Sequence, residues 1–491
     1  MVRASLVPLF LVTCGLAAQT PAPEGKRLSL QDAIQIALKN NLQVEIARQS
    51  RESTVSGVQS NLGAFDWTLN ADASFGKQDS KSAANNSDGT TTKRAFDVGV
   101  SKTFTWGGSL TANYGPTYSS YDGISYGNPS VTALPWGGNL TATYSQALLQ
   151  GFGRDITTAP LVIARKNAEG ADYTFQQAII NLVANTESQY WNVVYYDRLL
   201  ASKKVNLELA QKQLKENTIR MQVGTMAPID VTSAEAQVAQ AEQDIIGAEA
   251  NLANAKDALI RSLFPNAERP ASLETTDAPT LGHIQLDEGA ALKMALERRV
   301  ELKLARTQKD AAALNARVYE NKLLPSLSAY ATYTGQSDTK ATFGPVNSDL
   351  TGMKQPGYTV GLKFAMPIGN NTAKGNLSAA RAGLRTSELS LKDQELSITL
   401  EVRTAIRNIE TTEKALKAAE KTRYYQQKNL EAEQKKFENG MSTNFVVLKV
   451  MADLDAARSS ELNAQINYAN AVTALEKAVG NLLEARKLSV K

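Results

Sequence analysis

An internal duplication covers most of the chain. Residues 138–264 align without a gap with residues 354–480 at a constant offset of 216. Identical pairs under this offset include Gly153 and Gly369, Asn192 and Asn408, Lys212 and Lys428, Gly224 and Gly440, and Asn251 and Asn467. A second match at an offset of 258 pairs Leu38, Ala47 and Arg48 with Leu296, Ala305 and Arg306. A duplication of half a chain predicts one pseudo-symmetric domain rather than a solenoid of short repeats.

Composition narrows the class of protein. A chain of 491 residues would by length alone predict more than one globular domain, but the duplication favours a single elongated unit. The net charge is only +4 and 43% of the residues are hydrophobic. This surface lacks the concentrated positive charge of a nucleic-acid-binding protein, so we expect no nucleic-acid partner.

Residues 1–20 are typical of a secretory signal peptide. Arg3 precedes an apolar run at 6–12, and the small residues Ala17 and Ala18 follow it. The run is too short to cross roughly 30 Å of hydrocarbon, and no later segment reaches about 20 consecutive apolar residues. A mature chain that sits in a membrane must therefore use strands.

Cys14 is the only cysteine, and it lies inside this signal. Its surroundings, Leu11-Val12-Thr13-Cys14-Gly15, resemble a bacterial lipoprotein box, in which the cysteine carries lipid. Thr13 departs from the small residue usual at that place. The alternative is that Cys14 is removed with an ordinary signal peptide. In both cases the mature chain has no disulfide.

Hydrophobic periodicity predicts the secondary structure. A helix is expected over 28–60, with Ser29 as its N-cap. Two very long helices, at 160–219 and 371–437, should each reverse at a glycine into an alanine-rich helix, at 229–263 and 445–485. At 1.5 Å per residue the long helices would measure roughly 90 to 100 Å. Helices this long and polar need neighbours, so we expect oligomerisation.

Four segments alternate with period two, as amphipathic strands do. They are 65–75, the segment that begins at Pro325, 140–149 and 358–367. Residues 96–118 form an additional hairpin about Trp106-Gly107-Gly108, and residues 80–92 are predicted to be a polar loop. The pattern leaves open whether this hairpin joins the other strands. Aromatic residues in the strands fit either a membrane-interface belt or ordinary packing, and they include Trp67, Tyr114, Trp136 and Tyr144.

The expected fold class is α+β, consisting mostly of long α-helices with a duplicated helical hairpin and amphipathic strands. We divide the chain into a signal peptide (1–20), a first structural repeat (21–269), a linker (270–286), a second repeat (287–485) and a C-terminal tail (486–491).

This order of elements resembles the TolC-like outer membrane efflux family over nearly the whole mature chain. The two helix reversals are the most specific marks. Gly224-Thr225-Met226-Ala227-Pro228-Ile229-Asp230-Val231 and the segment Gly440 to Leu448 are similar to the family's periplasmic tip motif, and Leu148-Leu149-Gln150-Gly151-Phe152-Gly153-Arg154 is similar to its strand-to-helix junction.

The resemblance implies a homotrimer in the cell outer membrane. Strands of three chains would close one transmembrane β-barrel, and the helical hairpins would form a hollow barrel that extends into the periplasm. Hydrogen bonding also favours such a closed barrel. An open sheet in lipid leaves its edge amides unsatisfied, and four duplicated strands are too few to close a barrel alone. The family acts as the exit duct of tripartite efflux or type I secretion systems, together with a periplasmic adaptor protein and an inner-membrane pump or ABC transporter.

The resemblance also assigns the site residues. Adaptor contact is expected at the two tips, at Gly224, Thr225, Asp230, Gly440, Met441, Ser442 and Thr443. Val446 and Lys449 would line the entrance, where relatives often carry acidic residues. Lys449 would make this entrance less acidic; the alternative is a lysine on a solvated helix face.

Two other functions, an enzyme and a structural envelope protein, explain less of the sequence. The sequence lacks the residues that an enzyme of the common classes needs, because His283 is the only histidine and Cys14 is the only cysteine. We therefore expect no catalytic residues, metal or cofactor. A structural coiled-coil envelope protein or adhesin without transport activity would explain the long helices. It would not explain amphipathic strands at the same place in each half.

Overall fold

The computed structural model describes residues 26–82, 87–125, 134–265, 273–279, 282 and 287–488. The predicted signal peptide with Cys14, most of the linker 270–286 and His283 lie outside the described residues. The domain boundaries proposed from the duplication remain a prediction.

The fold is α+β and consists mostly of helices, which confirms the expected class. Two compact units can be distinguished. Unit 1 comprises the described residues of Met1–Glu45, Ile179–Ala291 and Val402–Lys491, and unit 2 comprises those of Ile46–Ala178 and Leu292–Glu401. The helices in chain order are α1 (Leu30–Asn40), α2 (Leu42–Leu62), α3 (Arg154–Thr157), α4 (Ala159–Gln222), α5 (Pro228–Leu263), α6 (Glu288–Arg298), α7 (Val300–Asn321), α8 (Phe343–Thr351), α9 (Asn371–Glu438), α10 (Asn444–Val479) and α11 (Leu482–Ala485).

The long helices end close to the predicted positions. Helix α4 has 64 residues and α9 has 68, and each is followed after a short turn by a helix of 36 residues. Their ends were predictable because glycine stops a helix and proline at the first position starts one. No helix in the described part of the chain is both long enough and apolar enough to span a membrane.

The first predicted helix, 28–60, is wrong in one respect, because it is broken into α1 and α2 at Asn41. Ser29 caps α1 as expected, accepting a hydrogen bond from the backbone of Asp32 at 3.1 Å. The Asn41 side chain donates to the carbonyl of Ser262 at 3.0 Å, and Asn40 donates to that of Leu263 at 3.2 Å. The second half breaks at Arg299, between α6 and α7, which is Asn41 shifted by the duplication offset of 258.

In the described part of the chain, eight strands accompany the helices. They are β1 (Lys26–Leu28), β2 (Thr68–Ser82), β3 (Ser87–Thr103), β4 (Gly108–Ser125), β5 (Trp136–Ala147), β6 (Leu273–Thr275), β7 (Ser326–Lys340) and β8 (Pro356–Ala365). Unit 2 holds a six-stranded antiparallel sheet in the order β2-β3-β4-β5-β7-β8. The additional hairpin therefore lies inside the sheet, between duplicated strands.

The predicted loop at 80–92 is wrong. Strand β2 continues to Ser82 and β3 begins at Ser87, so most of this polar stretch is paired, from Thr68↔Ser101 to Ser82↔Ser87. The strand predicted over 65–75 also begins later, because residues Gly63–Phe65 form a short 3-10 turn. The polar composition predicted a loop here, but β2 and β3 continue to pair along this stretch up to Ser82↔Ser87.

Strand β6 and helix α8 were not expected from the sequence. Strand β6 lies within the predicted linker and pairs in parallel with β1 in unit 1. Helix α8 packs its fully buried Val346 and Leu350 onto the sheet in unit 2. The hydroxyl of Tyr114 on β4 donates to Asn347 of this helix at 2.8 Å.

Candidate functional site

The two helix reversals of unit 1 contain the residues that the sequence singles out. Gly224 has φ +79° and Gly440 has φ +74°, a conformation that L side chains rarely adopt. The backbone N–H of Thr225 donates to Arg220 at 2.9 Å, and that of Met441 donates to Lys436 at 2.8 Å. Both long helices thus end with the same glycine turn, in which orphan carbonyl groups are satisfied.

The remaining predicted residues lie on or beside these turns. Asp230 is in the first turn of α5, and Thr443 is the N-cap of α10, where its carbonyl accepts from the backbone of Val446 at 3.1 Å. Lys449 is exposed on α10. Large apolar side chains are exposed around both turns, and they are Ile219, Val223, Ile229, Met441 and Phe445.

A buried amide network joins the two helical hairpins next to the turns. Asn217 on α4 donates to the side-chain oxygen of Asn444 on α10 at 2.8 Å, and Gln213 donates to the same oxygen at 3.3 Å. The amide of Asn444 in turn donates to the carbonyl of Asp230 at 3.0 Å. Asn217 and Asn444 are 0% and 2% exposed. Amides buried this deeply must be paired, so the network fixes how the hairpins meet.

A second contact supports the first. Arg220 donates to the carbonyl of Phe437 at 3.2 Å, and its guanidinium lies 4.5 Å from the centre of the Phe437 ring. Below these groups lies an apolar cluster of the same unit, which contains Ala210, Leu430, Phe437, Val447, Val450, Met451 and Leu454. Arg220 therefore contacts the apolar cluster through Phe437, which is one of its members.

Glu433 stabilises the turn of the second hairpin. It is buried and accepts a hydrogen bond from the hydroxyl of Ser442, and Lys436 lies 3.0 Å from its carboxylate. The hydrogen bond from Ser442, followed by that from Lys436, lowers the pKa of Glu433 below its ordinary value. Glu433 occupies the position of Asn217 under the 216-residue offset, so the two halves use different chemistry at matching places.

Sequence reasoning missed this network. Asn206, Ala210, Gln213 and Asn217 are all buried and recur at helical spacing on α4. An amide-rich stripe on the inner face of a long helix was the available signal, because such side chains are buried only when they are paired. Within the described ranges, no three His, Cys, Asp or Glu residues are close enough together to hold a metal ion.

The model of the outer membrane efflux protein family matches residues 139–263 and 291–481, one segment in each half of the duplication. These segments cover more than half of the chain, and the chain belongs to the outer membrane efflux protein family. The predicted resemblance is confirmed. The protein is accordingly an outer membrane protein whose helical part lies in the periplasm.

Individual relatives align over a smaller part. Outer membrane protein TolC of Escherichia coli K12 is 30% identical over 216 residues, 42% of this chain and 42% of TolC. TolC of Salmonella enteritidis is 29% identical over 215 residues, with the same coverage of 42% on each side. The chain thus aligns with less than half the length of these relatives.

Solved structures agree with the fold over nearly the full chain. CusC has a TM-score of 0.71 at 16% identity and covers 94% of this chain and 95% of its own. The outer membrane channel CmeC of Campylobacter jejuni has a TM-score of 0.66 at 16% identity, and the match covers 92% of this chain and 86% of CmeC. The outer membrane channel MtrE of Neisseria gonorrhoeae has a TM-score of 0.66 at 18% identity, and the match covers 92% of this chain and 89% of MtrE. At these identities the likeness shows the fold alone.

Proposed function

We propose that the protein is a passive outer membrane exit duct, formed by three copies of the chain and serving a tripartite efflux or type I secretion system. The observation that carries this proposal is the sheet of unit 2. On β8, Tyr358, Val360, Leu362 and Phe364 are 63–84% exposed and lie on one face. A contiguous exposed apolar face of this kind marks a surface that is covered by protein or lipid.

The edges of the sheet support closure by further copies. Strands β2 and β8 are the outer members of the described sheet, and they run in opposite directions. An open edge is not tolerated in hydrocarbon, because its backbone amides find no water. The β8 edge of one copy can pair antiparallel with the β2 edge of the next, so a ring of copies satisfies both edges.

The glycine turns of unit 1 are the proposed adaptor contacts, with Gly224, Thr225, Asp230, Gly440, Met441, Ser442 and Thr443 on or next to them. Exposed Val223, Ile229, Met441 and Phe445 offer apolar contact area at these turns. Val446 and Lys449 would line the entrance of the trimer. The amide network around Asn444 holds the two hairpins together, so it would be part of the closed state that the adaptor releases.

Transport would be driven from outside the chain. The pump or ABC transporter of the inner membrane would supply the energy, and the duct itself would act as a passive conduit. The coiled-coil or adhesin alternative is less well supported, because a structural envelope protein has no use for a sheet with one exposed apolar face.

The test is oligomeric state and membrane behaviour. The protein is extracted from outer membranes in mild detergent, and its mass is measured by native mass spectrometry before and after heating. Three copies that resist detergent and dissociate on heating support the duct. A monomer that is released from the membrane fraction by salt alone would overturn the proposal.

A further inference from the structure

The additional hairpin, β3 and β4, is in register with the duplicated strands on both sides. Strand β3 pairs with β2 from Thr68↔Ser101 to Ser82↔Ser87, and β4 pairs with β5 from Gly108↔Gln146 to Tyr118↔Trp136. The family match begins at residue 139, so this hairpin lies outside it.

All six strands share the same two faces. One row across the sheet is apolar or aromatic, and its members are Leu69, Val100, Ala112, Ala142, Tyr333 and Tyr358. The adjacent row on the opposite face consists of hydroxyl side chains, namely Thr68, Ser101, Thr111, Thr143, Thr332 and Thr359. Since the hairpin continues both rows, its strands are built for the same two environments as the duplicated strands.

A belt of rings and one cation crosses the apolar face at the level where β5 begins, about halfway along β2 and β3. The guanidinium of Arg94 lies 5.8 Å from the ring of Phe75 and 5.4 Å from that of Tyr118. Tyr118 contacts Trp136 at a centroid distance of 5.1 Å, and Trp136 contacts Phe343 of α8 at 5.5 Å. This outer belt spans β2, β3, β4, β5 and α8.

A second belt crosses the same face at the end next to the helices. The ammonium of Lys102 lies 5.1 Å from the ring of Trp67 and 5.8 Å from that of Phe104. Phe104 stacks on Trp106 at 4.5 Å, and the indole N–H of Trp106 donates to the hydroxyl of Tyr144 at 3.1 Å. In each belt the cation belongs to β3, a strand of the additional hairpin.

The distance between the belts matches a bilayer. Arg94 and Lys102 are eight residues apart on one strand, which is roughly 27 Å at about 3.4 Å per residue. With a strand tilt of about 40° this becomes roughly 20 Å of height, close to the apolar band of about 25 Å between the aromatic girdles of outer membrane barrels. Each cation then lies at the level of lipid phosphates, where long basic side chains extend toward headgroups.

We propose that β3 and β4 are membrane-spanning strands whose apolar face contacts lipid hydrocarbon where α8 does not cover it, with Arg94 and Lys102 at the two headgroup layers. This inference rests on the proposed trimer. Each chain then contributes six strands, so three chains close a barrel of eighteen strands. Because barrel diameter grows about linearly with strand number, this lumen is about half as wide again as the one that four duplicated strands per chain would enclose.

The test uses single-cysteine variants that carry an environment-sensitive fluorophore, reconstituted in vesicles with brominated phospholipids. Val98→Cys probes the apolar face of the hairpin, and Ser101→Cys probes its polar face. Leu362→Cys and Thr359→Cys are the matched references on β8. Wild-type protein treated with the same reagent gives the labelling background, and each variant is first checked for the heat-sensitive oligomer.

The expected result is equal quenching by bromolipid at Val98→Cys and Leu362→Cys, with quenching only by a water-soluble agent at Ser101→Cys and Thr359→Cys. Quenching at Leu362→Cys without quenching at Val98→Cys would overturn the inference and leave the duct intact. Absence of bromolipid quenching at Leu362→Cys itself would instead overturn the proposed function. If Val98→Cys does not assemble, Val100→Cys on the same face replaces it.

Discussion

Asn217 donates its side-chain amide to Asn444 across 2.8 Å, and this bond links α4 of the first hairpin to α10 of the second at a fully buried position. Replacing Asn444 with alanine removes the acceptor of the 2.8 Å bond from Asn217 and the amide that donates to the Asp230 carbonyl, and it leaves the Asn217 amide with only a long 3.4 Å bond to that carbonyl. A buried polar group left unpaired costs about 1–3 kcal/mol. We therefore expect Asn444→Ala to lower the thermal midpoint of unit 1, measured by circular dichroism on the detergent-solubilised protein.

The matched control is Gln222→Ala, which removes an exposed amide at the end of α4. Surface changes of this kind usually stay within about 0.5 kcal/mol. Equal midpoints for both variants would show that the amide network adds nothing to the stability of the hairpin contact.

Gly224 and Gly440 have a positive φ, unlike Gly247 within α5. A valine at either position would be forced into a left-handed conformation at a cost of about 1–2 kcal/mol or more. Gly224→Val and Gly440→Val should therefore distort the turns and reduce binding of the cognate adaptor, measured by surface plasmon resonance, while the heat-sensitive oligomer still assembles. Gly247→Val is the control, because Gly247 lies within α5 and a Cβ atom at this position would have no neighbour within 4 Å. Loss of membrane insertion in the Gly224→Val variant would contradict a role confined to the turn.

The lowered pKa of Glu433 predicts a pH dependence. A carboxylate whose pKa is lower in the folded state contributes stability above its unfolded pKa, about 4.3, and loses that contribution as pH falls through the folded value. Glu433→Gln should consequently be less stable than wild type at pH 7, and the difference in thermal midpoint should shrink below about pH 4. Glu438→Gln removes the same charge from an exposed position and is the control. A difference that stays constant down to pH 3 would exclude the ionised carboxylate as its source.

Glu187 forms a buried ion pair in unit 1 that can be tested separately. Its side chain is 0% exposed, and Arg486 donates to its two oxygens at 2.6 and 2.9 Å. Thr473 donates to the same carboxylate at 2.7 Å. Removing one partner of a buried pair costs about 3–5 kcal/mol, whereas replacing both with apolar residues is often neutral.

Arg486→Met should accordingly destabilise unit 1 strongly, and the double variant Glu187→Met with Arg486→Met should recover part of the loss, because Glu476, which lies 2.8 Å from Arg486, loses this partner in both variants. Chemical unfolding of the four proteins of this double-mutant cycle measures the coupling. Additive effects of the two substitutions would contradict a direct interaction of this strength.

Local sequence signals were enough to place most elements of the fold. Glycine at 224 and 440 and proline at 228 marked the helix reversals, because their backbone preferences act without help from distant residues. Alternation of apolar and polar residues marked the strands and the additional hairpin for the same reason.

Features that depend on distant contacts were not predictable. The break at Asn41 is supported by the carbonyl of Ser262, and β6 is fixed by pairing with β1 about 250 residues earlier in the chain. Helix α8 is held by Val346 and Leu350, which are buried in unit 2. None of these partners is visible in a short window of sequence.

The candidate site divides in the same way. The turn residues Gly224 and Gly440 could be named from a motif, but the pairing of Asn217 with Asn444 joins positions 227 residues apart. An amide in a helix predicts that a partner is needed, and only the packing of the hairpins determines which one.

Single-channel recording in planar bilayers tests the central claim most directly, that copies of this chain enclose a water-filled path closed by contacts at the helix turns. Purified wild type is compared with the double variant Asn217→Ala with Asn444→Ala and with Gln222→Ala. We expect discrete current steps from all three, with larger steps from the double variant alone. Protein that inserts into the bilayer but gives no discrete steps in any of the three forms would contradict the account.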